Sequence, residues 1–280
     1  MGSRLLRYLA LSVLILVFWF PLLWMLSYSL RPIGLPPPTK PEFFAPPLAF
    51  ENYWRVNDYM AITPLMVNSL RIAGIAVPLT LLTASWAGLA IAQLPRAARA
   101  FLLALSVALM LVPAVSTWVP RFIFFTNLGW VDTILPLLAP AVMGTSPFYV
   151  ILFYVSFARI PSELYDAARL DGANALQVWY LVALPLARAA VIAVAVLSFA
   201  VYWSSYVEPF LYLQSEAHYT FPVAVRLLEQ AHPSNFPVLM AASVIMVAPV
   251  ILLFAFAQRY FLQGSDALAQ FLGRGGDAFE

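Results

Sequence analysis

Few side chains in this sequence are equipped for chemistry, and their grouping narrows what is available. Both histidines, His218 and His232, fall in one polar stretch with Glu208 and Glu216. An imidazole beside a carboxylate is the minimal kit of a general acid–base enzyme. A metal would need a third donor at useful spacing, and none accompanies the pair. The chain has no cysteine, so disulfides, thiolate nucleophiles and Cys-based metal sites are out of reach, and no metal or other cofactor is expected. Gly144 to Phe148 reads GTSPF and lacks the second glycine of a nucleophile elbow. No H-E-x-x-H occurs. The single lysine, Lys40, follows Thr39 in a proline-rich stretch, so the phosphate-binding G-x-x-x-x-G-K-[ST] loop is absent. What remains is a trio of carboxylates, Glu163, Asp166 and Asp171, in residues 160–186. An internal segment this polar and helical, between two apolar ones, needs a surface to dock against.

Its local pattern is two short helices around a turn. Pro161 suits the first turn of a helix, where its missing N–H costs nothing. Ser162 or Glu163 can accept from the free N–H groups there. Good helix formers run from Glu163 to Leu170, and Asp171-Gly172 stops them, since glycine tolerates the left-handed C-terminal position. Asn174 can cap a second helix, with Gln177 three residues on. That helix carries Leu176, Trp179 and Tyr180 on neighbouring faces and ends near Pro185. On pattern alone, the segment is either a docking element or an amphipathic connector on a membrane surface.

The elements around it are set by composition. Of 280 residues, 63% are hydrophobic and 10% charged, and mean hydropathy is +0.86. Soluble domains carry ~25% charged residues, so most of this chain meets lipid or other buried helices. A net charge of +2 without a basic, aromatic-interleaved cluster gives no nucleic-acid signal. Apolar runs place six spans near residues 8–30, 64–92, 100–118, 137–157, 185–206 and 236–262. The first run is too long for a signal-peptide core. Residues 1–7 form an N-terminus, 31–61 a proline-rich external loop with a polyproline II tract at Pro36-Pro37-Pro38, and 263–280 a loose tail. Pro78 and Pro113 fall inside spans, where kinks are expected. Residues 221–228 suit a short helix dipping into the mouth of a pathway. This topology puts Arg4, Arg7, Arg96, Arg99, Arg159, Arg169, Arg188, Arg259 and Arg274 on the cytoplasmic side, against Arg31, Lys40, Arg55, Arg71, Arg121 and Arg226 outside. Both termini are then cytoplasmic.

The segment LYDAARLDGANALQVWYLVALPL, Leu164 to Leu186, resembles the "EAA" loop of the membrane-spanning subunits of ABC importers. Asp166, Ala167 and Ala168 stand where E-A-A belongs, Asp171, Gly172 and Ala173 match D-G-A, and Pro185 matches the closing proline. Asp166 in place of Glu keeps the charge on a shorter arm. Other phrases are similar to the maltose-class carbohydrate permeases: Phe20 to Pro32, Phe50-Glu51-Asn52-Tyr53, Asn68-Ser69-Leu70, Asn127 to Thr133, and Trp203 to Pro209, where Ser204 replaces the usual Asn. The resemblance implies an all-α integral membrane protein with the type I ABC importer permease fold, six spans and a cytoplasmic coupling-helix loop at 160–184. It implies that Glu163, Asp166, Ala167, Ala168, Asp171, Gly172 and Ala173 contact an ATPase. The implied partners are two ATPase subunits, a second homologous permease and an external substrate-binding protein, in the cell inner membrane.

The missing chemistry agrees with this class. No Asp, Glu, Lys or His lies in the middle of a span, where an ion-coupled transporter would keep its relay. If ATP drives transport, the ATPase is expected on another chain, since this one has no P-loop. A secondary transporter or channel, and a membrane enzyme using His218 with Glu208 or Glu216, are the competing readings. The expected cargo is a sugar or oligosaccharide, with a polyol or glycerol phosphate as alternatives. Tyr202, Trp203, Ser204, Ser205 and Tyr206 are candidates for the translocation path, because aromatic faces suit the C–H face of a pyranose and hydroxyls suit its polar edge.

Overall fold

A computed structural model describes residues 2–34, 42–143 and 146–274, with side chains from Leu5 to Tyr260. Every regular element among these is helical. In order they are α1 (Gly2–Ser29), α2 (Asn52–Tyr59), α3 (Ile62–Gln93), α4 (Arg96–Met110), α5 (Ala114–Asn127), α6 (Leu135–Val142), α7 (Pro147–Phe157), α8 (Ser162–Leu170) and α9 (Ala175–Gln177). A π-helical turn (Val178–Ala183) leads into α10 (Leu184–Leu186), followed by α11 (Arg188–Ser204), α12 (Val207–Tyr212), a 3-10 turn (Glu216–His218), α13 (Phe221–Ala231) and α14 (Phe236–Arg274). The polyproline tract at Pro36–Pro38 and Lys40 lie outside the described residues.

Four described stretches, Leu5–Ser29, Ile62–Gln93, Leu135–Phe157 and Phe236–Tyr260, are long and apolar enough to cross a membrane unaided. Two bent pairs raise the number to six. The expected third span, 100–118, is not one helix. It breaks after Met110, and α4 and α5 meet at 90°. Pro113 causes this: it caps α5, offers no N–H to the preceding turn, and bars Val112 from comfortable helical geometry. Pro78 behaves differently and stays within the continuous α3. The expected fourth span is covered by α6 and α7, the latter opening on Pro147, with residues 144–145 between them outside the described set. The fifth begins at Arg188 rather than Pro185, after an 86° bend. The tail expected from residue 263 instead continues α14 to Arg274; residues 262–274 contain no proline to stop it.

The chain forms two compact units. One comprises Met1–Val67 and Tyr219–Pro249. Its core joins Val56 of α2, Leu65, Phe221, Val225 and Leu228 of α13, and Val238 and Ala242 of α14. The helix expected at 221–228 is thus present, as a core element of this unit. From Leu5 to Phe20, α1 is exposed around its whole circumference, as a lipid-facing helix is. Its far end is finished by a side chain. Asn52 is 1% exposed, and its amide donates to the carbonyls of Ser29 at 2.8 Å and Arg31 at 2.7 Å. Those carbonyls lie where a helix has run out of its own N–H donors. The Asn-Tyr phrase is therefore a C-terminal clasp, and Tyr53 adds a 2.8 Å hydroxyl bond to Ser29.

The other unit comprises Asn68–His218 and Val250–Glu280. Its largest core cluster contains Leu89 and Ile91 of α3, Phe153 and Phe157 of α7, Tyr165 of α8, Val178, Ala183 and Val194. Gly88 sets the α3–α7 spacing. A Cβ there would lie 2.6 Å from Phe153 Cβ, 2.9 Å from the Tyr154 backbone nitrogen and 3.0 Å from the Val150 carbonyl oxygen.

Gly88→Ala should destabilise the protein by ~1–3 kcal/mol, since the obstacles include backbone atoms that a rotamer change cannot move; the melting temperature of detergent-solubilised protein checks this. Asn52→Ala should cost a similar ~1–3 kcal/mol through its stranded carbonyls, read by the same measurement, while Asp58→Asn, at an exposed position of the same helix, should leave the melting temperature unmoved.

A candidate coupling site

The segment after α7 is locked by local hydrogen bonds at each change of direction. Pro161 caps α8 from outside it rather than standing in its first turn, and no side chain caps this end. Glu163 sits in the first turn and Arg169 in the last, both favourable to the helix dipole. At the far end, Ala173 N–H donates to Ala168 carbonyl and Gly172 N–H to Arg169 carbonyl, each at 3.0 Å. This pair of bonds is a Schellman closure, which needs a left-handed residue at its centre. Gly172 supplies it with φ of +86°. The second helix starts with the expected capping box. Asn174 Oδ1 accepts from Gln177 N–H at 2.9 Å, and Gln177 Oε1 accepts from Asn174 N–H at 2.8 Å. So the D-G-A-N run is a rigid corner, with every residue given a backbone task.

Three side chains fasten this corner to the spans. The Tyr165 hydroxyl donates to the Phe157 carbonyl at 3.2 Å, and burial pushes its phenol above the ordinary tyrosine value. Arg169 donates to Gln93 Oε1 at 2.5 Å and to Asp166 at 3.2 Å. Trp179 Nε1 donates to Ser85 Oγ at 3.0 Å, and its ring meets Trp86 edge-on, centroids 5.5 Å apart. Beside these rings lies a cavity of about 570 Å³, bounded by Trp86, Leu89, Gln93, Leu176 and Trp179.

Glu163, Asp166, Ala167, Asp171 and Gly172 are exposed, and Ala168 and Ala173 are half-buried. Among them Leu170 stands 90% exposed. The Arg169–Asp166 pair is solvent-exposed and adds little stability. The path candidates are less uniform. Tyr202 is half-buried, its hydroxyl 3.4 Å from Thr80 Oγ1. Tyr206 stacks on Phe210, Ser204 is exposed with its hydroxyl on the Ala200 carbonyl, and Ser205 is half-buried. Trp203, in contrast, is 1% exposed and stacked on Phe199. It packs the interior, because apolar neighbours offer its ring more than water does.

A model of the family described as binding-protein-dependent transport system inner membrane component matches residues 76–265, more than half of the chain. The chain belongs to that family. It is a multi-pass permease component of an ABC import system. Over 197 residues it is 31% identical to the arabinooligosaccharides transport system permease protein AraQ of Halalkalibacterium halodurans, covering 70% of each chain. Over 273 residues it is 26% identical to the trehalose/maltose transport system permease protein MalG of Thermococcus litoralis, covering 95% of this chain and 96% of that one. Its fold is similar to a chain of a bacterial ABC transporter involved in importing the acidic polysaccharide alginate. The TM-score is 0.74 at 23% identity, over 92% of this chain and 96% of that one.

The histidines of this permease have structural tasks. His232 meets the Tyr59 ring edge-on at 5.0 Å. His218 Nδ1 donates to Asp132 at 3.1 Å. Asp132 is the centre of a clasp that the sequence does not announce, since it reads only as part of a turn. Its backbone is left-handed, φ +63°, a conformation Asp tolerates better than most residues. Its carboxylate also accepts from the Ser215 hydroxyl and from the backbone N–H groups of Gln214, 2.9 Å, and Ser215, 3.0 Å. Asn68, at one end of this unit's part of α3, donates to the nearby Ala217 carbonyl at 2.8 Å. The Ser215 hydroxyl first, then the backbone donors, hold the Asp132 carboxyl well below the usual carboxylate range. A depressed folded value stabilises above the unfolded value of ~3.9 and is lost as pH falls through the folded one. Wild type should therefore melt higher than Asp132→Asn at pH 6, with the gap shrinking progressively from pH 5 to pH 3.

Proposed function

We propose that this permease carries a sugar or oligosaccharide, delivered by an external binding protein, and that it is moved by ATPase subunits on other chains. The observation that carries the coupling role is the rigid corner around Gly172, which fixes Glu163, Asp166, Ala167, Leu170 and Asp171 on one exposed surface. Ala167, Ala168 and Ala173 keep that surface low, so a partner's groove can close on it. The sugar assignment is supported by relatives named for arabinooligosaccharides and for trehalose and maltose. A second, similar permease and two ATPases complete the assembly, with both termini and the corner on the cytoplasmic side. Coupling is then differential contact: closure of the ATPases favours one arrangement of the permease pair over the other. No proton or electron is exchanged on this chain. Tyr202, Ser204, Ser205 and Tyr206 are the residues proposed to line the path.

Two substitutions test the surface. Ala167→Arg and Gly172→Pro should each lower ATP-dependent uptake at least tenfold in cells, while the membrane-extracted protein keeps its helical circular dichroism. Gly172→Pro acts because proline requires φ near −65° where the turn uses +86°. Normal uptake in both variants defeats the docking assignment. Affinity purification of the tagged chain from gently solubilised membranes should recover a P-loop ATPase and a second permease; recovery of the chain alone favours a secondary transporter or channel.

A further inference from the structure

The turn between the corner and α11 is π-helical, Val178–Ala183. The Leu184 N–H reaches back five residues to the Trp179 carbonyl. In an α-helix, residues five apart point about 140° away from one another. Here Val178 and Ala183, five apart, are both buried, at 2% and 0% exposure. Pro185 accounts for the extra residue. It has no N–H for the Leu181 carbonyl, and its ring would crowd that carbonyl in an α-turn; a wider turn relieves the crowding. The result is that Val178 faces the core while Trp179 is carried to the flank of α3. There it makes both the Ser85 hydrogen bond and the Trp86 ring contact. π turns of this kind are rare and mark positions where a helix is re-aimed.

The placement matters because α3 is also fixed to α7 through Gly88. On the other side of the corner, Tyr165 grips the end of α7. The corner therefore has one hold on α7 and two on α3, and of the α3 holds Arg169–Gln93 is solvent-exposed. The half-buried Trp179 contact is the stiffer one. We infer that Trp179, aimed by the π turn, is the positioning residue that transmits movement of the corner to α3. This rests on the corner being the ATPase-docking element.

The sequence contains no cysteine, so this chain adds no background to paired nitroxide labels, and any cysteines of the partner subunits are replaced first. Ile75→Cys on α3 and Val201→Cys on α11 are both exposed. The complete complex, purified with its ATPases, is compared without nucleotide and after trapping with Mg-ATP and vanadate, and the change in label separation is measured together with trapped nucleotide. If wild type recovers no ATPase, the docking reading itself has failed; if it recovers the ATPases and traps nucleotide but the separation does not change, α3 is not moved relative to α11 and the inference is overturned. Given a wild-type change, Trp179→Ala should retain trapped nucleotide within twofold and lose more than half of the change. Trp179→Phe, which keeps a ring but no N–H, should restore more of it than Trp179→Ala does. Half or more of the wild-type change in Trp179→Ala overturns the inference, as does an equal loss of trapping, which makes Trp179 a packing residue only. If Trp179→Ala does not assemble, Ser85→Ala takes its place under the same criteria.

Discussion

A chain in hydrocarbon has no water with which to satisfy its backbone, and this constraint governs where the permease bends. Three changes of helix direction or helix ends sit beside a proline or a side chain that deals with the freed groups. Pro113 ends one helical direction and begins another at 90°. Pro185 is accommodated by a widened turn before an 86° change of direction. Asn52 collects two carbonyls where α1 runs out. Pro78, with helix on both sides, leaves α3 continuous. The same residue type thus has opposite outcomes, decided by whether neighbouring segments can remain helical around it.

The corner at residues 171–174 is built on another economy. Its shape is set almost wholly by backbone bonds and short polar side chains, Gly172, Asn174 and Gln177. The larger side chains are then released from shaping it. Tyr165, Arg169 and Trp179 turn inward to grip the spans, while Leu170 and the carboxylates turn outward. A loop that drew its shape from a hydrophobic core could not display so much of its surface.

How much of this was legible in sequence depended on the range of each interaction. The Schellman closure and capping box act within six residues, and Asp171-Gly172 and Asn174/Gln177 announce them directly. Apolar runs gave the spans, although helix bounds moved where proline decided between bend and break. The π turn was invisible: VWYLVALPL is apolar all round, so no periodicity betrays an added residue. The Asp132 clasp was equally hidden, because its partners at Gln214, Ser215 and His218 are distant in sequence. Trp203, read as a path aromatic from its place near a span's end, proved to be interior packing. Interface and core aromatics share one composition, and only neighbours tell them apart.

The first helix has a bearing on biogenesis. From Tyr8 to Phe20 it presents large apolar side chains in every direction, so over that length it requires no protein neighbour to be soluble in lipid. It is complete as an inserting segment while most of the chain is still unsynthesised. Arg7 stands in the sequence directly before the apolar run that starts at Tyr8. Arginine flanking such a run biases the direction in which it inserts, and that bias acts before any of the packing that maintains the fold exists.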